Sequence, residues 1–517
     1  MGFDFSAFND QRLKEAYVEW LINEEWPRRG EHFGRLWDYY ENPMVQAGDI
    51  CRTGGFDETW RPYIQAQEYG LPARITGRVY GWAGGVLSGR DVGDIRRKEV
   101  VIENDIGWRI NAMVDFLFSK EVAIVSKAPQ VERRREIESI LRAVFEGNGG
   151  AVFFQDMAVL GSVYGFVDCL VRPNSNLLSR LRRRLSEGGI SERFRSGQAE
   201  DISSVLGTAG QIDLELIEAS RALPVLEEDD YRKIGFYVQH FYQLLNDVEE
   251  SGGLVSRIFN GKSLPVRQKS VVVTEVLGPH IWQKYENFEL AAEEVNPLGF
   301  VPVVHIQNIA QPYFYEGLSD VEQMSGLQDE LNTRLSDRAS RLTFQSFRMY
   351  LAKGIEGIED KPVSPGRMWC TENPDASIEE FGGDGNAPSE NMHIAEIREA
   401  MDKISGVTPV VAGVLKNKLG NLTSGVALKM TFMGMLTKTA RKQFTYGQGI
   451  GRICRMALEI LDRAGVYPTE ASERQIEIKF GNPLPDDEME KLKEAQIKRE
   501  LGVPSSRVLE ELGYESE

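Results

Sequence analysis

The sequence predicts an α+β protein of several units, and three observations carry that prediction. Strand-like and helical segments alternate up to about residue 300, which is the pattern of sheets covered by helices. Beyond that point, apolar residues recur three or four apart over long stretches, the spacing of a single helix face. At 517 residues, the chain has room for roughly three or four units of about 150 residues each.

Composition places the chain among soluble globular proteins and limits how it can meet nucleic acid. Hydrophobic residues make up 42% and charged residues 27% of the sequence, values that support ordinary buried cores. The net charge is −18, whereas a protein that grips nucleic acid by releasing counterions normally carries a broad basic face. If this chain meets DNA, we expect it to enclose the duplex rather than hold it tightly.

Cysteine spacing and hydropathy exclude several classes of protein. The four cysteines lie far apart, with neither a CxxC pair nor a Cys/His cluster, so we predict free thiols and folding in a reducing cytoplasm. No run approaches the roughly 18 apolar residues of a membrane-spanning helix. Met1–Asp10 lacks the basic and apolar regions of a signal peptide. We therefore expect no membrane association.

The first half of the chain is predicted to mix helices and strands around glycine-rich turns. A charged helix is expected over Val131–Phe145, ended by the turn Gly147–Gly150, and a further helix and strand over Val159–Val171. A polar insertion near residues 175–210 contains the basic run Arg180–Arg184. We interpret that run as a solvated helix face, with a phosphate-contacting patch as the alternative.

Further β-strands are expected where β-branched and aromatic residues cluster between turn residues. They are Ile234–Leu245, Ser270–Val276, His280–Phe288 and Phe300–Ile306. His305 lies in the last of these, an apolar strand, and we predict a core side chain whose hydrogen bonds are satisfied within the fold.

Two helices separated by a turn-rich excursion come next. The first should begin near Leu318 and persist to about Phe347, with one apolar stripe along it and a capping box formed by Ser319 and Glu322. The second should cover Ser389–Ile404. Because the segment between them is rich in glycine and proline, this order predicts two antiparallel helices carrying a small β-type module at their tip.

The following part begins with a glycine-containing flexible stretch, Gly406–Thr423, and continues as a very long helix over Ser424–Ala464. Glycines at positions 447, 449 and 451 predict a bend in that helix. A short strand and two helices are expected after it: Gln475–Phe480, Asp486–Leu501 and Ser505–Leu512.

No enzyme signature is complete. Gly261-Lys262-Ser263 is the nearest approach to a phosphate-binding loop, but the GxxxxGK[ST] pattern needs a glycine at the position of Ser256. The five histidines are scattered, and no hydrolase, metalloprotease or kinase motif occurs. We therefore predict a protein that is not an enzyme and has no cofactor and no metal.

Several stretches carry a resemblance to a known family. They are Pro297–Asn308 (PLGFVPVVHIQN), Leu318–Leu342 (LSDVEQMSGLQDELNTRLSDRASRL) and, most specific, Ser424–Lys442 (SGVALKMTFMGMLTKTARK). Gly481–Gln496 (GNPLPDDEMEKLKEAQ) fits the same family's ending. On these segments the sequence resembles the portal proteins of tailed bacteriophages, closest to the siphophage-type branch.

The resemblance implies the portal fold and a division of the chain into its segments. These would be a mixed α/β wing over residues 1–317, a first stem helix over 318–347, a small β-type clip over 348–388, a second stem helix over 389–405, a tunnel loop over 406–423, a long wing helix over 424–466 and a short helical crown over 467–517.

The resemblance also implies a structural function. Subunits would close a dodecameric ring at a unique capsid vertex, as the channel through which double-stranded DNA is packaged and later ejected. The implied partners are the terminase large subunit, the major capsid protein, the scaffold and the head–tail adaptor. The protein would be assembled in the host bacterial cytoplasm and remain in the virion.

Two sets of residues are implicated by the same resemblance. We hypothesise that the tunnel-loop set, Lys416, Asn417 and Lys418, lines the DNA channel as a soft collar without base readout, with an ordinary surface loop as the alternative. The clip set would contact terminase and later the adaptor, and consists of Lys361, Arg367 and Trp369.

The distribution of charge fits a ring that encloses DNA. Between Gly317 and Gly406 there are 9 Lys/Arg and 17 Asp/Glu, a net charge of −8, so a ring of such segments would present an acidic wall that repels phosphate. Ser424–Val466 carries 7 basic and 2 acidic residues, a net charge of +5. We interpret its basic residues as partners for acidic neighbours across subunits.

Two alternatives stay open at this point. Another structural virion protein, such as an adaptor or a scaffold-like component, would lack the helix–module–helix order. An ATP-driven packaging enzyme would need a complete phosphate-binding loop, and Ser256 counts against it.

Overall fold

The computed structural model describes residues 8–9, 12–46, 63–83, 86–91, 98–186, 201–228, 230, 232–247, 267–346, 349–353, 375–381, 388–412, 430–484, 488–505 and 508. Strands in these ranges are β1 (Phe8–Asn9), β2 (Arg12–Leu13), β3 (Met44–Gln46), β4 (Tyr63–Gln65), β5 (Arg78–Ala83), β6 (Val86–Asp91), β7 (Ala123–Ser126), β8 (Phe166–Arg172), β9 (Asp213–Ile217), β10 (Ala222–Leu226), β11 (Ile234–Asp247), β12 (Arg267–Leu277), β13 (Ile281–Glu286), β14 (Glu289–Val295), β15 (Val303–Gln307), β16 (Met349–Lys353), β17 (Ser377–Phe381) and β18 (Ile476–Lys479). Helices in the same ranges are α1 (Glu15–Trp20), α2 (Trp26–Glu41), α3 (Ala73–Thr76), α4 (Asp105–Phe118), α5 (Val131–Gly147), α6 (Ala151–Tyr164), α7 (Ser175–Ser186), α8 (Ile202–Ala209), α9 (Ser325–Ser346), α10 (Pro388–Ser405), α11 (Met433–Arg463) and α12 (Glu488–Glu500).

The chain divides into two compact units, each assembled from separate stretches of sequence. The first unit comprises Met1–Glu19, Asn111–Leu318 and Leu436–Glu517. The second comprises Trp20–Ile110 and Ser319–Met435.

The first unit contains two antiparallel sheets that contribute to one core. The strand orders are β15-β8-β9 and β10-β11-β12-β13-β14. Because β8 is a middle strand, Phe166–Val171 are all buried, which accounts for its nearly continuous apolar sequence. Six strands of the two sheets contribute to one buried cluster: Leu170, Ile217, Ala222, Tyr237, Leu277 and Val303.

The structure confirms the type of each element compared below, but some elements begin or end at other residues than predicted. The expected strands correspond to β11, β12, β13, β15 and β18, and the charged helix corresponds to α5. β15 begins at Val303 rather than Phe300, since Pro302 has no N–H with which to pair.

The basic run Arg180–Arg184 lies on α7, an amphipathic helix with Leu177 buried beneath it. Arg182 is exposed, as expected for a solvated face, and forms an ion pair with Glu294. Arg184 differs, because its Nη1 donates to the main-chain oxygens of Asp462 and Arg463, each at 3.1 Å. A guanidinium at these last carbonyls of α11 is favoured by the helix dipole.

The glycines of α11 allow close packing rather than interrupting the helix, which continues without a break from Met433 to Arg463. A Cβ added at Gly449 would lie 2.4 Å from the Cγ1 and Cδ1 atoms of Ile306. A Cβ at Gly447 would lie 3.3 Å from the ring of Phe480. Because these two glycines lack a Cβ, the side chains of Ile306 and Phe480 can approach the backbone of α11 closely.

Gly449→Ala is expected to lower the free energy of unfolding by about 1–3 kcal/mol, because Ile306 is buried and cannot move aside. Gly451→Ala is the matched control, since its nearest atom, the main-chain oxygen of Ile476, would be at 3.6 Å. The control should gain up to about 1 kcal/mol from helix propensity. Urea unfolding measures both, and equal effects of the two substitutions would contradict the packing argument.

The second unit is organised around α9 and α10. The first of these helices, α9, begins at Ser325, not near Leu318 as predicted, because residues 320–324 form hydrogen-bonded turns first. Ser319 does act as a cap there: its Oγ accepts from the N–H groups of Val321 and Glu322, each at 3.1 Å. The second helix, α10, agrees with its prediction within one residue at each end.

The expected β-type module between these helices is confirmed by β16 and β17. The two strands pair antiparallel, from Met349 opposite Phe381 to Lys353 opposite Ser377. A hairpin-like pair therefore follows α9 and precedes α10.

Candidate DNA-channel site

The helices α9 and α10 run antiparallel within the second unit. Near the end of α9, Arg341 forms an ion pair with Glu390 at the start of α10. One turn further along α10, His393 Nε2 lies 3.3 Å from Glu330 Oε1. The apolar face of α10 is buried, with Met401 fully enclosed, so the pair is held by packing as well as by charge.

A second face of α9 is polar and buried, which the sequence analysis did not anticipate. Gln328, Asn332 and Ser336 are fully buried and lie four residues apart. They bond the backbone of the extended segment that precedes α4: Asn332 Oδ1 accepts from Glu103 N at 3.0 Å, and Ser336 Oγ accepts from Val101 N at 3.0 Å. This row satisfies main-chain groups that would otherwise be buried without partners.

Arg109 anchors the last turn of α10. Its side chain is 2% exposed. Nη1 donates to the main-chain oxygen of Val407 at 2.6 Å and to Ser405 Oγ at 3.0 Å. Asp105 Oδ2 accepts from Nε at 2.9 Å, and Asp402 Oδ1 lies 2.7 Å from Nη1, an ion pair by distance rather than an aligned hydrogen bond. A buried cation at this helix end matches both carboxylates and the dipole.

Two glycines bring together the chain segments that lead into and out of the proposed tunnel loop. Gly406 ends α10 with φ of 72°, a left-handed conformation that favours glycine. A Cβ there would lie 3.2 Å from the main-chain oxygen of Gly434. Lys416, Asn417 and Lys418, the residues predicted to line the channel, lie outside the described residues.

The predicted clip residues, Lys361, Arg367 and Trp369, also lie outside the described residues, as does Gly261-Lys262-Ser263. Within the segment predicted to be the clip, the structure describes the strand pair β16 and β17.

A cluster of carboxyl and phenol groups lies against α9 in the same unit. Tyr39 Oη donates to Asp329 Oδ1 at 2.7 Å, and Arg35 stands over the rings of Tyr39 and Tyr69 at 5.8 and 5.9 Å. Burial raises the pKa of Asp329 to about 6, although the hydrogen bond from Tyr39 acts in the opposite direction. Burial, with the charge of Glu41, also raises the pKa of Asp38 to about 6.

Asp329→Asn is expected to stabilise the protein at pH 8 and to flatten its stability profile. An acid whose pKa is raised by folding contributes stability fully below about pH 4, its unfolded pKa, and loses that contribution as the pH rises through about 6. Removing the charge should therefore gain about 1–3 kcal/mol at pH 8 and little at pH 4.5. Asp337→Asn is the control, since it removes an exposed ion pair with Arg74. A loss of stability at pH 8 in the Asp329 variant would contradict this expectation.

The predicted core role of His305 in the first unit is confirmed. Nδ1 lies 2.7 Å from Asp168 Oδ1, and Nε2 lies 2.7 Å from the main-chain oxygen of Tyr315. The carboxylate also accepts from the hydroxyls of Tyr315, at 2.9 Å, and Tyr237, at 2.8 Å. His240 is likewise a core residue, bonded to Thr274, and burial lowers its pKa to about 4. Because these polar atoms are satisfied within the fold, we assign them structural roles.

The described ranges contain two cysteines. Cys169 and Cys454 are buried free thiols, and burial raises the pKa of each. No group of three or more His, Cys, Asp or Glu positioned for a metal ion occurs among the residues that the structure describes. Within the same residues, no helix combines the length and apolarity needed to cross a membrane.

Comparison with known proteins supplies the deciding observation. Residues 193–511 match the sequence profile of the family described as "Phage portal protein, SPP1 Gp6-like". The chain belongs to the phage portal family. No curated protein sequence matches it. Portal membership agrees with the resemblance found in the sequence.

Several solved structures are similar to the chain at low sequence identity. The neck of an empty GTA particle computed with C6 symmetry has a TM-score of 0.44 at 12% identity, over 80% of this chain and 91% of that chain. The virion of a native gene transfer agent (GTA) particle has a TM-score of 0.41 at 12% identity, over 80% and 90%. The neck of the native GTA particle computed with C12 symmetry has a TM-score of 0.42 at 12% identity, over the same shares.

Proposed function

We propose that this portal protein forms a closed dodecameric ring at one capsid vertex and passes double-stranded DNA through its centre. Family membership carries the proposal. The antiparallel pair α9 and α10, with the β16–β17 pair between them in sequence, supports it as a stem with a clip. The role is structural rather than catalytic, and the protein acts within the virion after assembly in the host cytoplasm.

In this proposal the segments take the roles that the resemblance implies. Residues 1–317 and 424–466 form the wing, α9 and α10 the stem, 348–388 the clip, 406–423 the tunnel loop and 467–517 the crown. The net charge of −8 between Gly317 and Gly406 keeps the channel wall from holding phosphate. The close approach of Gly406 to Gly434 would hold the tunnel loop at a fixed point of the channel.

The clip is proposed as the docking surface for other proteins. Lys361, Arg367 and Trp369 would contact the terminase large subunit during packaging and the head–tail adaptor afterwards. The wing would meet the major capsid protein and the scaffold during assembly.

Negative-stain electron microscopy of the purified protein, with a mass measurement, tests the ring. We expect rings with a central channel and about twelve-fold symmetry, the closed cyclic arrangement of a head-to-tail interface. A discrete monomer or dimer under all conditions would overturn the proposal.

Replacing both Lys416 and Lys418 by alanine is expected to change packaging or DNA retention several-fold, because the collar would lose its only cationic groups between Gly406 and Thr423. The measurement is the length and amount of DNA in assembled particles. Lys233→Ala with Lys284→Ala, two lysines paired with local carboxylates, is the control. Full-length DNA at normal yield in the loop variant would remove these lysines from the channel.

A further inference from the structure

One face of α11 carries exposed side chains in a single stripe. Arg441, Phe444, Gln448, Arg452 and Arg455 are all exposed and lie three or four residues apart. At 1.5 Å per residue, the stripe is about 21 Å long. The three arginines have neither a hydrogen bond nor an ion pair with any residue that the structure describes, unlike Arg463 of the same helix, which is 2.7 Å from Glu459.

A cleft of about 440 Å³ runs beside this basic stripe. The helix side of the cleft includes Gly447 and Gly451, and the opposite side is formed by Ile476 and Ile478 of β18. Phe444, which is 73% exposed, stands at the cleft. The surface therefore combines cationic groups with apolar groups, and a contact with phosphate alone would not need the apolar part.

A surface of opposite character lies on the edge strand β14 of the same unit. All of its residues are exposed, and β14 is the last strand of its sheet among the residues that the structure describes. Leu290 and Val295 are 52% and 62% exposed, beside the carboxylates of Glu289, Glu293 and Glu294. An exposed apolar edge strand favours association with another chain, and at about 3.4 Å per residue this one spans about 20 Å.

Two of these carboxylates already have partners in the single subunit. Glu293 contacts Arg12, and Glu294 contacts Arg182. Such exposed ion pairs contribute only about 0–1 kcal/mol each, so they do not prevent the carboxylates from meeting new cations.

We propose that the basic stripe of one subunit docks on β14 of the next subunit in the ring. The two surfaces match in length, are opposite in charge and each expose apolar side chains. Because they are different surfaces of one chain, their contact is head to tail and generates a ring when the rotation closes. This inference rests on the proposed function, since it names the surfaces through which that ring would close.

Charge reversal tests the pairing in the full-length protein. The stripe variant is Arg452→Glu with Arg455→Glu, and the edge variant is Glu289→Lys with Glu293→Lys. A combined variant carries all four changes, so that opposite charges face each other again. The control is Arg135→Glu with Arg142→Glu, which reverses two exposed arginines of α5 that also lack ion pairs among the described residues.

Sedimentation velocity and electron microscopy measure the fraction of subunits in rings. We expect at least a tenfold loss of rings for the stripe variant and for the edge variant, recovery to at least half in the combined variant, and no change in the control. Thermal unfolding shows whether a variant has folded. If the stripe variant has not, Arg452→Gln with Arg455→Gln replaces it, and its rings should dissociate at lower salt than wild type.

Two results would overturn the pairing. In one, the folded stripe variant keeps its rings, and a loss of DNA contact in those rings would assign the stripe to nucleic acid instead. In the other, both single-surface variants lose their rings but the combined variant does not recover them. Failure of the wild-type protein to form rings is a different result, since it contradicts the proposed function itself.

Discussion

Replacing Arg109 by methionine is expected to lower the free energy of unfolding by about 3–5 kcal/mol. Methionine keeps much of the side chain's length but none of its donors. Asp402 and Asp105 would then lose their cation at a site where Arg109 is 2% exposed. The main-chain oxygen of Val407 would lose its donor at 2.6 Å, and an unsatisfied buried group adds its own desolvation cost.

Arg398→Met is the matched control for this experiment. Arg398 also pairs with a carboxylate of the second unit, Glu103, at 2.6 Å, but its side chain is 43% exposed. Its loss should cost no more than about 1 kcal/mol. Urea unfolding at one fixed protein concentration measures both variants, because assembly would make stability depend on concentration.

Arg109→Lys tests whether the positive charge alone or also the planar shape of the guanidinium stabilises this site. The ammonium retains a positive charge but lacks the planar fork that reaches Asp105, Ser405 and Val407 together. Arg109→Lys should therefore fall between wild type and Arg109→Met. If Arg109→Met costs less than about 1 kcal/mol, as an exposed pair would, Arg109 does not anchor the end of α10.

The predicted strands, such as β11 and β15, follow from local sequence, whereas β9, β10 and β14 were not predicted, and neither was the Arg109 contact. The strand predictions succeeded because alternation and turn residues are local signals. Arg109 and Val407 are 298 positions apart, and an arginine in the helix Asp105–Phe118 looks like any surface charge until its partners are known. The available signal in the sequence was that Arg109 lies among the apolar positions of that helix.

Hydrophobic periodicity revealed only one of the two buried faces of α9. The predicted apolar stripe includes the buried Leu331 and Leu335, but it gave no indication of the buried row Gln328, Asn332 and Ser336, because polar residues are usually at the surface. Their spacing of four residues was a sequence signal for a second buried face, whose side chains form hydrogen bonds with main-chain groups.

Glycine has a similar ambiguity in sequence. Gly447, Gly449 and Gly451 predicted a bend in α11, and in the structure Gly447 and Gly449 mark places where neighbouring side chains approach the helix. A glycine pattern alone does not distinguish a bend from a close approach, because both need the missing Cβ.

Asp168→Ala is expected to cost about 3–5 kcal/mol, because three donors converge on one buried carboxylate. The side chain of Asp168 has no exposure to solvent. Its removal would leave the hydroxyls of Tyr237 and Tyr315 without the acceptor they share, and Nδ1 of His305 without its contact at 2.7 Å. Each of these groups belongs to a different part of the first unit, so the loss should loosen β8, β11 and β15 together.

Two further variants and a control separate the contributions to this loss of stability. Asp168→Asn keeps one acceptor oxygen but turns an amide N–H2 toward donors, so it should recover only part of the stability. Tyr315→Phe removes one hydroxyl donor, which lies 2.9 Å from both oxygens of Asp168, and should cost about 1 kcal/mol. Asp213→Ala, at an exposed position on the neighbouring strand β9, is the control and should stay within about 0.5 kcal/mol of wild type. Chemical unfolding measures all four. If Asp168→Ala matched the Asp213 control, the carboxylate would not hold the donors together, because a buried acceptor shared by three donors cannot be removed without cost.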